Sequence, residues 1–302
     1  MGPQDVFAAA PWLVAGAAAG HLARRAVPRL LRLRDRSLPF SWPWMEVVTA
    51  VAFVVLALRG APWPPFALTL LLVTVCATDY RVKLIPDVLT LGGAALGLVA
   101  AALEPARLLG SPFHTLLLGA WGLGSGGPHG SGSGMQMAPW LAGVLIAALG
   151  VAFGFALLEA IRRGFGLVVR MPVMGMGDSK LLMLIGAFLG PAGVALAVMP
   201  AFLLGVVHGL VMLRITRLPH SPFGPPLAAA GWLTAAEPQL LLLAIAGFQG
   251  WILRLPLPLL GALYVALLGL VAWILLRTRR RSESYAQTIE DDYRRLENQL
   301  ED

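Results

Sequence analysis

The sequence is poor in charged residues and in cysteine. Its 302 residues include 23 Lys or Arg and 16 Asp or Glu, together 13% of the chain, against roughly 25% in an average soluble domain. This scarcity of charge excludes a water-soluble fold of this size. The single cysteine, Cys76, excludes a disulfide framework and a zinc site built from several cysteines of the chain.

Hydrophobic residues take the place of the missing charge and make up 58% of the chain. A helix that crosses a bilayer needs about 20 mostly apolar residues, so the pattern predicts an all-α polytopic transmembrane helix bundle with eight or nine spans. The break at Pro191 and Gly193 fits either a tight turn between two helices or a kink in one, and a kink would invert every later segment. The nine apolar segments are residues 6–20, 44–59, 64–78, 88–103, 138–158, 181–192, 194–213, 226–247 and 256–276.

The basic residues predict an orientation, because cytoplasmic loops collect Lys and Arg. With the amino terminus outside and the carboxyl terminus in the cytoplasm, 20 of the 23 basic residues fall on the cytoplasmic side. Topology then explains the net charge of +7, so we expect no nucleic acid partner and only membrane lipids against the basic loops. The first segment lacks the pattern of a cleavable signal and is expected to remain as an anchor.

We predict one membrane domain over residues 1–276 and a polar cytoplasmic tail over residues 277–302. Within the domain, residues 21–43 form a short basic cytoplasmic loop that could fold as an interfacial helix. Residues 105–137 form an outer-face loop, whose run GLGSGGPHGSGSGM is typical of a flexible linker.

Two aspartates at the predicted cytoplasmic boundary, Asp79 and Asp178, are the candidates for catalysis. An ionisable residue at the edge of a spanning helix is costly and therefore indicates function. Two predicted crossings separate these aspartates, so both return to the same face although they are 99 positions apart. Two nearby carboxyl groups can share one proton, with one as general base toward a water and the other as general acid toward a carbonyl oxygen.

Each aspartate also has a structural interpretation. Asp178 is well placed to cap a helix that begins at Ser179. Arg81 or Lys83 could neutralise Asp79. A purely structural Asp79 would nevertheless be unusual, because the helix dipole disfavours negative charge at a helix carboxyl terminus.

The other polar residues near the membrane edge have mainly structural interpretations. Asp87 is a good candidate for a helix N-cap. Glu159 is expected to pair with Arg162 or Arg163, whereas Glu46 could pair in the same way or approach the active site. His208 is interpreted as structural, since it could hydrogen-bond another helix. Cys76 is interpreted as a packing residue. Four methionines either fill apolar space or line a groove for a substrate helix, namely Met171, Met174, Met176 and Met183.

Three stretches of the chain together resemble the type IV prepilin peptidases, the bacterial G-x-G-D aspartic proteases of the inner membrane. They are CATDYRVKLIPDVLTLGGAALGL (76–98), MGMGDSKLLMLIGAFLG (174–190) and SPFGPPLAAAG (221–231). A weaker match, WPWMEVVTAVAF (42–53), contains Glu46. The order of D-x-x-x-x-x-I-P-D followed by G-M-G-D-x-K-L is specific, and the resemblance covers residues 40–235.

This resemblance implies cleavage of basic leader peptides from type IV prepilins or pseudopilins at the cytoplasmic face of the inner membrane. It implies that Asp79 and Asp178 are the catalytic pair and that the site holds no metal. The third motif, Pro222, Phe223 and Gly224, is interpreted as a structural loop bordering the site. The implied supporting or substrate-contacting residues are Glu46, Pro86, Asp87, Gly175, Gly177 and Lys180.

The chain departs from the family in its first cytoplasmic loop. Many members carry two C-x-x-C pairs there, which bind zinc and are linked to N-methylation of the new amino terminus. The loop HLARRAVPRLLRLRDRSLPFSWP is shorter and has no cysteine. No Gly-rich nucleotide loop is visible either, so we expect no cofactor, with S-adenosylmethionine bound only if methylation is retained. The competing interpretation is a non-enzymatic scaffold or a transporter of the same fold, although a transporter would place its polar groups near the bilayer midplane.

Overall fold

The described part of the chain consists of helices and their connections. The structure is a computed structural model that describes residues 3–30, 43–82, 85–109, 138–169, 175–216 and 222–253, with Pro256, Val265, Ala266 and Gly269. Within these residues there is no strand, in agreement with the predicted all-α class. The helices are α1 (Pro3–Leu30), α2 (Trp44–Leu58), α3 (Trp63–Val82), α4 (Asp87–Leu103), α5 (Pro105–Leu109), α6 (Pro139–Val169), α7 (Met176–Thr216), α8 (Gly224–Ala236) and α9 (Pro238–Leu253).

Two of these helices are long and apolar enough to cross a membrane, over Pro139–Gly164 and Met176–Met212. The broken pair of α8 and the first part of α9 makes a third if it is counted as one span. The helices α2 and α4 are apolar but shorter. These features fit a helical membrane protein, and the number of eight or nine spans stays a prediction.

The first helix is longer than the predicted first segment. α1 continues to Leu30, whereas the apolar pattern ends at residue 20. The stretch HLARRA is rich in residues with high helix propensity, so the helix does not end where the apolar run ends. The beginning of the predicted basic loop is therefore helical, and residues 31–42 lie outside the described residues.

The break predicted at Pro191 and Gly193 lies at Gly190. The chain is helical before and after this residue, and Gly190 itself has φ 69° and ψ −179°. Glycine reaches this backbone region readily, because it has no Cβ to clash with the neighbouring carbonyl groups. Pro191 follows it and has no N–H for the preceding turn, so the helix is interrupted at this point.

The predicted segment 226–247 is wrong as a single helix. Glu237 separates α8 from α9 with φ −138° and ψ 56°. The reason is Pro238, since a proline disfavours the helical conformation of the residue before it. The Glu237 carboxylate lies 2.5 Å from the guanidinium of Arg59 at the end of α2, which ties the carboxyl end of α8 to α2.

Small residues bring α4 and α6 close to α7. A Cβ at Gly97 of α4 would lie 2.7 Å from the Cβ of Ala187. A Cβ at Gly150 of α6 would overlap the carbonyl oxygen of Gly186. Small residues allow helix backbones in membrane proteins to approach closely. α7 is thus held on two sides, and its first turn has a fixed place next to the start of α4.

The chain divides into two compact units. The first consists of residues 1–158 and 176–241, and the second of residues 159–175 and 242–302. Asp79 and Asp178 both belong to the first unit, which therefore contains the candidate active site.

Candidate active site

Asp79 is buried near the carboxyl end of α3, with 7% of its surface exposed. Its neighbour Thr78 is also buried and donates its hydroxyl to the carbonyl of Val75 at 2.9 Å. Residues from α1 and α2 pack against the preceding turns of α3 and form an apolar cluster of Ala23, Val27, Met45, Val73 and Ala77. The end of α3 is therefore fixed by packing, and it keeps a carboxyl group away from bulk water.

Gly224, the first residue of α8, contacts this carboxyl group directly. Its N–H donates a hydrogen bond to Oδ2 of Asp79 at 3.1 Å. A Cβ at this position would overlap the same oxygen. The N–H groups at a helix start carry partial positive charge and favour an anion. Sequence reasoning interpreted Gly224 as part of a bordering loop and missed this contact.

Asp178 is the third residue of α7 and is 8% exposed. Its carboxyl group is close enough to that of Asp79 for the two to interact electrostatically. The structure thus brings together two aspartates that are 99 positions apart in the chain. Because α7 begins at Met176, the prediction that Asp178 caps a helix starting at Ser179 is wrong.

The glycines of the second motif flank the start of α7. Gly175 directly precedes the helix. Gly177 lies against the I-P-D segment, where a Cβ would be 3.3 Å from the side chain of Ile85. Ser179 is completely buried next to Asp178, and its Oγ has no hydrogen-bond partner among the described residues. The first two motifs are therefore in contact through small and apolar residues.

Asp87 pairs with Lys180 and does not cap α4. Pro86 occupies the cap position with an extended backbone, and the cap makes no side-chain hydrogen bond. The Asp87 carboxylate instead accepts a hydrogen bond from Lys180 Nζ at 2.5 Å. The N-cap prediction for Asp87 is thus wrong, because a proline holds that position. The ion pair joins the start of α4 to the turn of α7 that carries Asp178.

Glu46 connects α2 to α1. One carboxylate oxygen lies 3.2 Å from His21 Nδ1 and 3.2 Å from Arg24 Nε. The other oxygen is buried and has no hydrogen-bond partner among the described residues. Of the two predictions for Glu46, the structure supports pairing, since no ion pair or hydrogen bond joins it to Asp79 or Asp178 within the described residues.

The remaining predicted residues fall into three groups. The prediction that Glu159 pairs is confirmed, with Arg162 at 2.6 Å and Arg163 at 2.7 Å. Cys76 interacts electrostatically with Asp79. Several side chains lie outside the described residues, namely those of Arg81, Lys83, Met171 and Met174. Among the side chains that the structure describes, no three from His, Cys, Asp or Glu are grouped to hold a metal ion.

Comparison with known proteins finds relatives that match the part of the chain containing the first two motifs. Residues 66–210 match the type IV leader peptidase family. The prepilin leader peptidase/N-methyltransferase of Aeromonas hydrophila is 29% identical over 211 residues, which cover 67% of this chain and 61% of the relative. The protein of the same name from Xanthomonas campestris pv. campestris is 29% identical over 209 residues, with the same coverage of each chain. That of Pseudomonas aeruginosa is 38% identical over 90 residues, or 29% of this chain and 31% of the relative.

The matches are partial in length. The chain spans 61% of the length of the Aeromonas and Xanthomonas relatives. No solved structure matches the chain significantly. The matched segment contains both motif aspartates, Asp79 and Asp178, whereas Gly224 lies beyond its end. Residues 66–210 of this chain are therefore similar to the type IV leader peptidase family.

Proposed function

We propose that the protein is a membrane-embedded aspartic endopeptidase that removes the basic leader from type IV prepilins or pseudopilins. The observation that carries the proposal is that Asp79 and Asp178, two buried carboxyl groups from distant parts of the chain, lie near enough to interact electrostatically. Burial of two like charges is costly unless the groups share a proton or serve chemistry. The similarity of residues 66–210 to a leader peptidase family supports the same reaction.

The proposed reaction uses the two carboxyl groups in opposite protonation states. The ionised group takes a proton from a water molecule as the water oxygen attacks the peptide carbonyl carbon, while the protonated group gives its proton to the carbonyl oxygen. In the second step the C–N bond breaks. The amine nitrogen receives a proton from the first group, and the second group takes one back from the diol, so that both return to their initial states.

The proposal places this chemistry at the cytoplasmic face of a bacterial inner membrane. A chain with nine spans and an outside amino terminus puts both aspartates on that side, together with 20 of the 23 basic residues. A prepilin has a basic leader followed by an apolar helix. Its helix would lie in the membrane while the leader stays in the cytoplasm, which brings the scissile bond to the membrane edge.

The relatives' names include an N-methyltransferase activity. The proposal does not extend to this activity, because the chain has one cysteine and no Gly-rich nucleotide loop. We expect the cleaved product to carry an unmodified amino terminus when S-adenosylmethionine is supplied.

Incubation of the purified protein with a prepilin peptide that keeps its leader tests both statements. Mass spectrometry of the new amino terminus should show the cleaved, unmethylated product. Asp79→Asn and Asp178→Asn should each lower the rate by at least about 1,000-fold while the protein stays folded. Asp87→Asn is a matched control with a far smaller effect. An uncut peptide, or normal cleavage by both catalytic variants, would favour the scaffold or transporter interpretation.

A further inference from the structure

The start of α8 offers one N–H group to a ligand, and that group points at Asp79. Four N–H groups at the start of a helix normally lack helical partners. In α8 the second and third residues are Pro225 and Pro226, which have no N–H. The N–H of Leu227 makes the first helical bond, to the carbonyl of the N-cap residue Phe223 at 3.1 Å. Among the helical residues of this first turn, Gly224 is therefore the one whose N–H has no helical partner, and it bonds to Asp79.

Asp178, in the first turn of α7, has a different environment. It is buried to the same degree as Asp79, yet it accepts no hydrogen bond from the described residues. A buried carboxyl group that accepts no hydrogen bond is more stable in its neutral form, whereas a direct N–H donor favours the anion. Within the pair, the shared proton therefore belongs on Asp178.

We infer that Gly224 is a positioning residue that keeps Asp79 ionised, so that Asp79 is the general base and Asp178 the general acid. The catalytic roles that this inference gives to the two aspartates rest on the proposed function. In the proposed reaction, Asp79 then takes the proton of the attacking water and later gives it to the leaving amine. Asp178 protonates the carbonyl oxygen and recovers a proton when the diol collapses.

The helix dipoles act against this assignment, because Asp79 lies near the carboxyl end of α3 and Asp178 in the first turn of α7, but a direct hydrogen bond to a charged group outweighs a helix dipole. The groups that the structure describes near Asp79 come from three helices. α8 contributes the Gly224 N–H, α7 contributes Asp178, and α3 itself contributes the thiol of Cys76. The cluster residues that α1 and α2 place against this end of α3 are apolar. At the neighbouring ends of α4 and α7, Asp87 and Lys180 are paired with each other.

Infrared spectroscopy can measure the order in which the two carboxyl groups ionise, without any substrate. In Asp178→Asn only Asp79 remains, and in Asp79→Asn only Asp178 remains. The double variant supplies the reference spectrum, so that the C=O stretch of the protonated group can be followed as pH is raised. We expect Asp79 to ionise at the lower pH. The reverse order, or the same midpoint in both variants, would overturn the inference.

Two glycine substitutions on the same helix test the role of Gly224. In the Asp178→Asn background, the Cβ of Gly224→Ala would displace Oδ2 of Asp79 from the N–H at position 224. Because a hydrogen bond to a charged group is then lost, the ionisation midpoint of Asp79 should rise by about one pH unit or more. Gly231→Ala is the control, because its Cβ would meet only the side chain of Ile185, at 2.7 Å. Equal shifts in both variants would show that the effect is one of packing and would contradict the inference.

The catalytic consequence is measured separately in the chain with both aspartates. Gly224→Ala should lower kcat for prepilin cleavage by about tenfold or more with little change in KM, while Gly231→Ala stays within about threefold. If the unsubstituted protein cuts no prepilin, the proposed function fails. The order of ionisation measured by infrared spectroscopy would still decide which aspartate is ionised.

Discussion

At the scale of single residues, the acidic side chains near the membrane edge differ in the partners that they find. Asp79 has the N–H of Gly224, Asp87 has Lys180, and Glu46 has its two partners on α1. The motifs identified the acidic residues but not these partners. A pairing depends on how far each helix is rotated about its axis, and a motif read along one segment does not contain that angle.

The role of Gly224 as a partner could nevertheless have been predicted from the sequence. The run Phe-Gly-Pro-Pro-Leu removes two successive N–H groups directly after Gly224. When a single N–H remains in the first turn of a helix, the sequence indicates that this N–H has a specific acceptor. The hydroxyl of Ser179 carries no such signal, because serine is common near helix starts and its burial is visible only in the structure.

The ion pair between Lys180 and Asp87 leads to a prediction about activity. Asp87 is 58% exposed, so the pair should contribute less than about 1 kcal/mol to the free energy of unfolding. It also fixes the turn that carries Asp178. We expect Lys180→Asp to lower kcat about fivefold to tenfold, the scale of losing about 1 kcal/mol of transition-state stabilisation, with a change of only a few degrees in thermal midpoint.

The exchanged pair is the control for this prediction. Lys180→Asp combined with Asp87→Lys restores the attraction with reversed charges and should recover most of the activity. Kinetics of peptide cleavage and thermal unfolding in detergent give both readouts. A double variant as slow as the single one would show that Lys180 acts through something other than Asp87.

At the scale of elements, the apolar pattern located the helices better than it located their interruptions. Both interruptions fall one residue before a proline, at Gly190 and Glu237. The rule that proline disfavours a helical residue before it would have placed both. The rule is not sufficient, since α7 passes Pro200 without a break. Packing around the helix decides which prolines interrupt it.

The close approach of α6 and α7 gives a prediction at this scale. Gly186 is in contact with the backbone of Gly150. A Cβ at Gly186 would overlap main-chain atoms of Gly150, which cannot move aside as a flexible side chain can. Gly186→Val should therefore force the helices apart and lower the free energy of unfolding by about 2 kcal/mol or more.

Gly92→Val is the matched control, because Gly92 also lies within a helix and has no atom near the position of its Cβ. It should cost only the small difference in helix propensity. Unfolding in detergent, followed by circular dichroism, compares the two variants. Equal destabilisation would mean that the contact between α6 and α7 contributes little.

At the scale of the whole molecule, the orientation in the membrane is the main prediction from charge. It can be tested with cysteine labelling, because Cys76 is the only native cysteine. In a Cys76→Ser background, we expect a cysteine at position 129 to react with a membrane-impermeant maleimide added outside intact cells. A cysteine at position 280 should react only after the membrane is opened.

This pair of positions also decides whether the number of crossings between them is odd or even. Labelling of both from the outside would contradict the predicted odd number of crossings between the two positions. Sequence alone could not fix the count, since a broken helix such as α8 with α9 has the same composition whether it crosses the membrane or turns back. The composition of a segment shows how apolar it is, but not on which side of the membrane each of its ends lies.

The backbone of Gly190 has a consequence in genetic terms. Only glycine holds φ 69° with ψ −179° without strain, and any other residue costs on the order of 1–3 kcal/mol there. Every missense change of this codon therefore weakens the same bend. A screen for temperature-sensitive alleles should return codon 190 repeatedly.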